Sequence, residues 1–313
     1  MSSSKISVII CTHNRAFLLP DVLDSLEKTE TPEHAEIELV IVDNASSDDT
    51  FQTIKEYATI SKFEITPLKE PRKGKTFALN TAIKIAKGEV LTFVDDDHIV
   101  SPGYFKAIQS ALENYPDYNL FCGRIIPNWD GTEPAWVHDD KDYPIRPFPI
   151  PNFNMGDHVL EVQLDKNMFI PGAGNLVIKK RVFENVGFFS EKFGPKGHNL
   201  RGGEDLEFVR RALKQGEHLV YIPEILQYHQ VDTKKLKLNF LLKKAYYRSM
   251  AAYQFGDKIS AGPVPLYFYR RAAAQLLKSI FCLRQNARRF YLVKLASVIG
   301  EIQGHRKGHK NGQ

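Results

Sequence analysis

Over its first hundred residues the chain alternates buried-strand signals with amphipathic-helix signals, and few architectures accept that alternation. Ile6–Cys11 is a short apolar, β-branched run, and Leu18, Leu19, Val22, Leu23 and Leu26 follow at helical spacing. Pro20 is tolerated there only near a helix start. Ile37–Val42 repeats the strand signal, and Ser46, Ser47, Asp48 and Asp49 supply N-cap chemistry for a helix through Tyr57. Phe63–Leu68 reads as a third strand, Lys75–Lys87 as a helix, and Val90–Val94 as a fourth strand. A βαβαβαβ rhythm of this kind predicts an α/β fold with a mostly parallel central sheet.

Ligands of such sheets bind at the carboxyl ends of the strands. Three of the four strands end there in polar or acidic residues: Thr12-His13-Asn14, Asp43-Asn44 and Asp95-Asp96-Asp97.

Beyond residue 100 the pattern changes. Pro127–Pro151 is proline-rich, holds Trp129 and Trp136, and has no sustained period. A long loop or lid of that kind is usually functional in a compact domain. Its tryptophans offer flat apolar faces to a ligand, or pack in a crossover. Strand and helix signals resume near Met168–Val177, Gly203–Leu213 and His218–Ile222, and beyond Lys234 the pattern is helical.

Charge is divided unevenly. The net charge is +5, yet Lys234–Gln313 holds 17 Lys and Arg against 2 acids, so the preceding residues carry a balance of −10. A basic tail on an acidic body points to an anionic partner, whether a membrane surface, a nucleic acid or the body itself. Within the tail, Tyr269, Ala273, Leu276, Leu277 and Ile280 share one helical face, with Arg271, Gln275, Lys278 and Ser279 opposite. Such a helix suits an anionic membrane interface, or its apolar stripe packs on the body with the bases facing water. No stretch approaches the ~18 apolar residues of a spanning helix, and the N-terminal run is too short for a signal h-region. Three scattered cysteines, Cys11, Cys122 and Cys282, show no metal or disulfide framework. These features lead us to expect a cytoplasmic protein, peripheral on the inner face of the membrane.

Four segments offer chemistry. Asp95-Asp96-Asp97 gathers three carboxylates that repel one another unless a cation or solvent intervenes, which suits Mg²⁺ or Mn²⁺. Asp43 could accept hydrogen bonds from a base or ribose, although the segment also reads as a capped helix start. Arg72-Lys73-Gly74-Lys75 precedes a helix and reads as an anion-binding loop or a surface turn. Gly202-Gly203-Glu204-Asp205 opens a helix whose acids complement the macrodipole, or supply a general base in a cleft. His229 alone reads as a structural histidine.

Together these segments resemble the GT-A-fold glycosyltransferases of the family-2 type, which are inverting and nucleotide-sugar dependent. The matching pieces are SVIICTHNR, VDNASSDDT, GKTFALNTAIKIAKGEVLTFVDDD, PGAGNLVIKKRVFENVGFF and GGEDLEFVRRAL, in the family's order over roughly residues 5 to 230. The resemblance implies a Rossmann-like GT-A domain over 1–232, with a nucleotide-sugar half to about residue 100 and an acceptor half beyond it. A basic helical extension would follow over 233–313. It implies that Thr12, Asn14, Arg15, Asp43, Gly74, Lys75, Asp95 and Asp96 line the donor pocket. By the same resemblance Asp95, Asp97 and His229 hold a divalent metal (Mn²⁺ or Mg²⁺), and Asp205, or else Glu204, is the catalytic base. The implied partners are a nucleotide-sugar donor and a carbohydrate or lipid-linked acceptor, with polysaccharide or glycolipid assembly the setting.

Two departures stand out. His98 follows the acid run where many relatives carry another Asp, and Leu79 stands where many have Arg. Processive synthases share GKxxALN, but their glutamine-and-Arg-Trp signature is absent, so a single addition is expected. The rival readings are a non-catalytic nucleotide-sugar binder of the same fold and a nucleic-acid binder using the tail. Intact Asp95, Asp97 and Asp205 oppose the first. The acidic body and the absence of a stacked-aromatic RNA motif oppose the second.

Overall fold

The computed structural model describes residues 4–163, 173–191, 203–255 and 263–311. Two compact units are present. Among the described residues, the first comprises those up to 128, those from 152 to 191 and those from 203 to 230; the second comprises 129–151 and everything from 231 onward.

The first unit is built in chain order from β1 (Ser4–Thr12), α1 (Leu19–Glu27), β2 (Ala35–Asp43), α2 (Thr50–Ile60), β3 (Glu64–Lys69), α3 (Lys75–Ile85), β4 (Val90–Phe93) and β5 (His98–Val100). It continues with α4 (Tyr104–Asn114), β6 (Leu120–Asn128), β7 (Leu160–Val162), β8 (Leu176–Lys179), α5 (Arg181–Val186), α6 (Glu204–Lys214) and β9 (Leu219–Gln230). The strands form one sheet in the order β3-β2-β1-β4-β8-β6-β9-β5, with β7 paired to β9. Four pairings are parallel and run over four to nine residues; the four antiparallel ones run over three each, so the sheet is mostly parallel.

Alternation along β1 explains why the run is apolar at nearly every position. Ile6, Val8 and Ile10 pack with Leu19, Val22, Leu23 and Leu26 of α1 and with Phe105 and Ile108 of α4. Ile9 packs on the other face with Ala78 and Leu79 of α3, in a cluster that includes Val182 of α5 and Phe208 of α6. A sheet covered on both faces must bury every residue of its central strands.

Two sequence expectations change. His218–Ile222 is only the start of β9, which runs on to Gln230. Pro223 hides the continuation, yet the β6–β9 register jumps from Ile222 to Leu226 at Gly123/Arg124, so the proline has no ladder bond to donate. The strand signal at Met168–Val177 resolves to β8 at its far end; its first part, like Pro171, Gly172 and Gly202 of the matched motifs, lies outside the described residues.

The second unit contains α7 (Leu238–Phe255), α8 (Leu266–Phe281) and α9 (Gln285–Asn311). Trp136 is buried among Ile145, Leu241, Ala245 and Val293, with the Arg289 guanidinium over its ring at 4.4 Å. The loop is thus a packed crossover at this tryptophan. On α8 the orientation differs from the packed-stripe alternative. Phe268 and Ala272 face Val298 and Ile302 of α9 with Ser279 buried, while Leu276, Leu277 and Ile280 are exposed. No helix among the described residues is long and apolar enough to cross a membrane.

Candidate active site

The site lies at the carboxyl ends of β1, β2 and β4, within the first unit. Asn14 knits the first two tips together. Its backbone N–H donates to Ser46 Oγ at 2.8 Å, and its Oδ1 accepts from the Ser47 N–H at 2.7 Å. Asn14 adopts φ 54°, a left-handed conformation that Asn tolerates better than most residues. Arg15 donates its N–H to Thr50 and lies 4.0 Å from Asp96. Thr12 is buried beneath. Asp43 is also buried, and its Oδ1 accepts from the Ser46 N–H at 3.0 Å, closing the turn after β2.

Asn44, to which the sequence assigned no role, fastens the next loop. Its amide donates to the Glu70 and Arg72 carbonyls, and its Oδ1 accepts from the Gly74 N–H at 2.8 Å. Gly74 sits at φ 143°, where a side chain is strained, and this turn aims Lys75 inward at the head of α3. Arg72 is held by both oxygens of Glu70, whose carboxyl its guanidinium pulls down to about 2. Of this basic run, therefore, Lys75 is the member turned to the acids.

Lys75 Nζ lies 2.6 Å from Asp95 Oδ1. Burial opposes the charge on Lys75, but its acidic neighbours, Asp95 first and then Asp205, outweigh it and raise the ammonium well above its usual range. Burial likewise opposes ionisation of Asp95, and Lys75 with His98 overcomes it, holding that carboxyl below the usual range. Asp96 has weaker compensation: burial, then the charge of Asp97, push it up to about 6.

Asp97 meets two imidazoles. His98 Nε2 lies 3.8 Å from its Oδ1 and His229 Nε2 3.4 Å from its Oδ2. Ligand atoms of Asp97, His98 and His229 all fall within 4.8 Å of one another. Strand pairing causes the convergence, because His98 and His229 are register partners across β5 and β9. The far ring nitrogens are fixed by acceptors. His98 Nδ1 meets Gln227 Oε1 at 2.6 Å and His229 Nδ1 meets the Gln230 carbonyl at 2.6 Å. Gln227 is oriented in turn, its amide donating to the Phe93 carbonyl, Tyr104 Oη and Asn175 Oδ1. An acceptor at Nδ1 places the proton there and leaves the Nε2 lone pair facing Asp97 in the neutral ring. One carboxylate and two such imidazoles, each backed by an oxygen, form a donor set that fits a divalent ion.

Gly174 closes this side. A Cβ there would stand 2.7 Å from Asp95 Oδ2 and 2.8 Å from His98 Cε1, so only glycine permits the approach. The motif GAGN signalled the position without its reason.

Glu204 and Asp205 open α6. Burial, then the adjacent Asp205 charge, push the Glu204 carboxyl up to about 8, so it keeps its proton at neutral pH. Asp205 Oδ1 is buried without a hydrogen-bond partner among the described residues.

Sequence reasoning missed His98, Gln227, Asn44 and Gly174. The signal for His98 was present as a departure from the family's acid run, and its ladder partner was not readable from spacing.

The family model for glycosyl transferase family 2 matches residues 7–187. The glucosyl-dolichyl phosphate glucuronosyltransferase of Haloferax volcanii is 20% identical over 245 residues, 78% of this chain and 75% of that protein. TarS of Staphylococcus aureus, a poly(ribitol-phosphate) β-N-acetylglucosaminyltransferase, is 31% identical over 111 residues, which span 36% of this chain but only 19% of TarS. Its 1–349 fragment in complex with UDP-GlcNAc superposes with TM-score 0.56 at 15% identity, covering 99% of this chain and 92% of the fragment. The mannosyltransferase PcManGT of Pyrobaculum calidifontis, in complex with GDP-Man and Mn²⁺, gives TM-score 0.61 at 18% identity, covering 99% of this chain and 88% of that one. The α/β fold with its mostly parallel sheet and C-terminal helices is that of the GT-A glycosyltransferases.

Proposed function

The chain belongs to glycosyl transferase family 2, and from that premise we propose that it moves one sugar from a nucleotide-sugar donor to an acceptor hydroxyl, with inversion at the anomeric carbon. The observation that carries this reading is the convergence of Asp97, His98 and His229, whose ligand atoms all lie within 4.8 Å of one another. Two residues before Asp97, Asp95 bonds the Lys75 ammonium at 2.6 Å.

In the proposed reaction the donor's base and ribose lie along Thr12, Asn14, Arg15, Asp43 and Asp96, with the Gly74–Lys75 turn over the diphosphate. Lys75, kept cationic by its acidic neighbours, offsets diphosphate charge. Asp97, His98 and His229 would hold a divalent ion, with Asp95 beside them. Mn²⁺ or Mg²⁺ bound there supplies Lewis-acid stabilisation of the departing diphosphate. Asp205 takes the acceptor hydroxyl's proton as that oxygen bonds to the anomeric carbon and the bond to the nucleoside diphosphate breaks. Glu204, holding its own proton near neutrality, is the poorer acceptor of the pair.

The acceptor we assign is a carbohydrate or lipid-linked hydroxyl in polysaccharide or glycolipid assembly, met at an anionic membrane surface. The dolichyl-phosphate and poly(ribitol-phosphate) activities named for the relatives support that class.

A panel of nucleotide sugars, each with and without Mn²⁺ or Mg²⁺, tests the reading. One donor should raise the melting temperature in a metal-dependent way and release its nucleoside diphosphate. A chain that binds a donor but never turns it over, with any acceptor class, is a binder instead.

A further inference from the structure

We propose that the exposed face of α8 and the turn after it dock into the headgroup boundary of an anionic lipid bilayer. The assignment rests on the membrane partnership proposed above and names the surface that makes it.

The helix is amphipathic in an unusual sense. The side with Phe268, Ala272 and Ser279 is the one turned to the protein, where Phe268 and Ala272 pack with Val298 and Ile302 of α9. The larger apolar side chains are left outside. Ile280 is 61% exposed, Phe281 77% and Leu283 99%, beside exposed Leu276 and Leu277. Tyr267 and Tyr269 continue the exposed side towards the start of the helix. An apolar cluster of this size on one surface marks an interaction site.

Charge selects the occupant. Residues 263–300 hold seven Lys and Arg and no acid. Arg270, Lys278, Arg284 and Arg288 are exposed around the apolar cluster. A second copy meeting this face would set base against base, which opposes self-association. Nucleic acid would satisfy the bases but offers no hydrocarbon to five aliphatic and aromatic side chains. An anionic bilayer supplies both, with acyl chains for the apolar cluster and phosphate for the rim. The tyrosines suit the same boundary, being apolar in body and polar at the tip. The helix would lie in the interface, since no described helix can span.

The test is co-sedimentation of the full chain with phosphatidylcholine vesicles, with and without phosphatidylglycerol, at low and high salt. Native protein should bind only the anionic vesicles, and less at high salt. The combined variant Leu277→Gln, Ile280→Gln, Phe281→Gln should bind more than about tenfold more weakly with an unchanged melting temperature. The combined variant Lys278→Gln, Arg284→Gln, Arg288→Gln should lose roughly fivefold per charge and most of its salt dependence. Absence of native binding to anionic vesicles would overturn both the partnership and the surface. Equal binding by the native protein and the apolar variant would leave the partnership standing and overturn the surface. A native dimer that the apolar variant converts to monomer, without vesicle binding, would assign the face to a second copy.

Discussion

His98 and His229 face each other across the β5–β9 ladder, ring centroids 4.9 Å apart, and each turns its Nε2 towards Asp97. The relationship is made by backbone pairing and locked by Gln227 and the Gln230 carbonyl. It turns the third acid of the run into the centre of a mixed oxygen–nitrogen donor set.

Replacing that acid should remove the ion's effect on donor binding. With nucleotide sugar near a hundred times its Kd, binding stabilises a protein by about 2.7 kcal/mol. Asp97→Ala should show no metal-dependent part of that gain in thermal melts, while its ligand-free melting curve stays cooperative.

His98→Gln tests the added imidazole separately. Titration with Mn²⁺ alone, followed calorimetrically, should give at least about tenfold weaker binding, the scale typical of losses around a metal centre. An unchanged affinity would make His98 a packing residue that only supports the strand.

Gly174→Ala should damage both the fold and the site. The new methyl meets an Asp95 oxygen already bonded through its partner oxygen to Lys75, and a buried imidazole with little room to shift. Chemical denaturation should register about 1–3 kcal/mol of lost stability, as for overpacked interiors. Donor affinity should fall with it.

Glu204→Gln should flatten the pH dependence of stability. The native carboxyl titrates near 8, above its unfolded value of 4.5, so the folded state holds a proton that the unfolded state releases between those values. Its contribution is complete below about pH 4.5 and is lost as pH rises through 8. Melting temperatures from pH 5 to 9 should therefore decline more in native protein than in the variant. Parallel curves would contradict the assignment.

Much of the fold was legible because buried strands write themselves as nearly unbroken apolar runs. Ile6–Cys11 and Ile37–Val42 are covered on both faces, and the one polar residue in each is buried, with Ser7 Oγ donating to Glu38 Oε1 at 2.6 Å. Their tips were legible for the same reason, as the first polar residues after each run. The metal-side histidines were legible only by half. His229 came through resemblance, whereas His98 looked like a departure, because antiparallel register is a tertiary fact with no local trace. β9 was shortened by Pro223, whose lack of an N–H costs nothing where the ladder skips. On α8, periodicity located the apolar stripe but not its outlook; Phe268 against Val298 decides which side is covered.

The most direct test of the account compares native protein with Asp205→Asn on the two halves of the reaction, donor binding and sugar transfer. The amide keeps the shape of the side chain and removes the proton acceptor whose Oδ1 lies buried and unbonded among the described residues. Metal-dependent donor binding should match the native protein, and transfer should fall by about 10²–10⁴-fold, the usual worth of a positioned general base. Near-native transfer by Asp205→Asn would contradict the central claim.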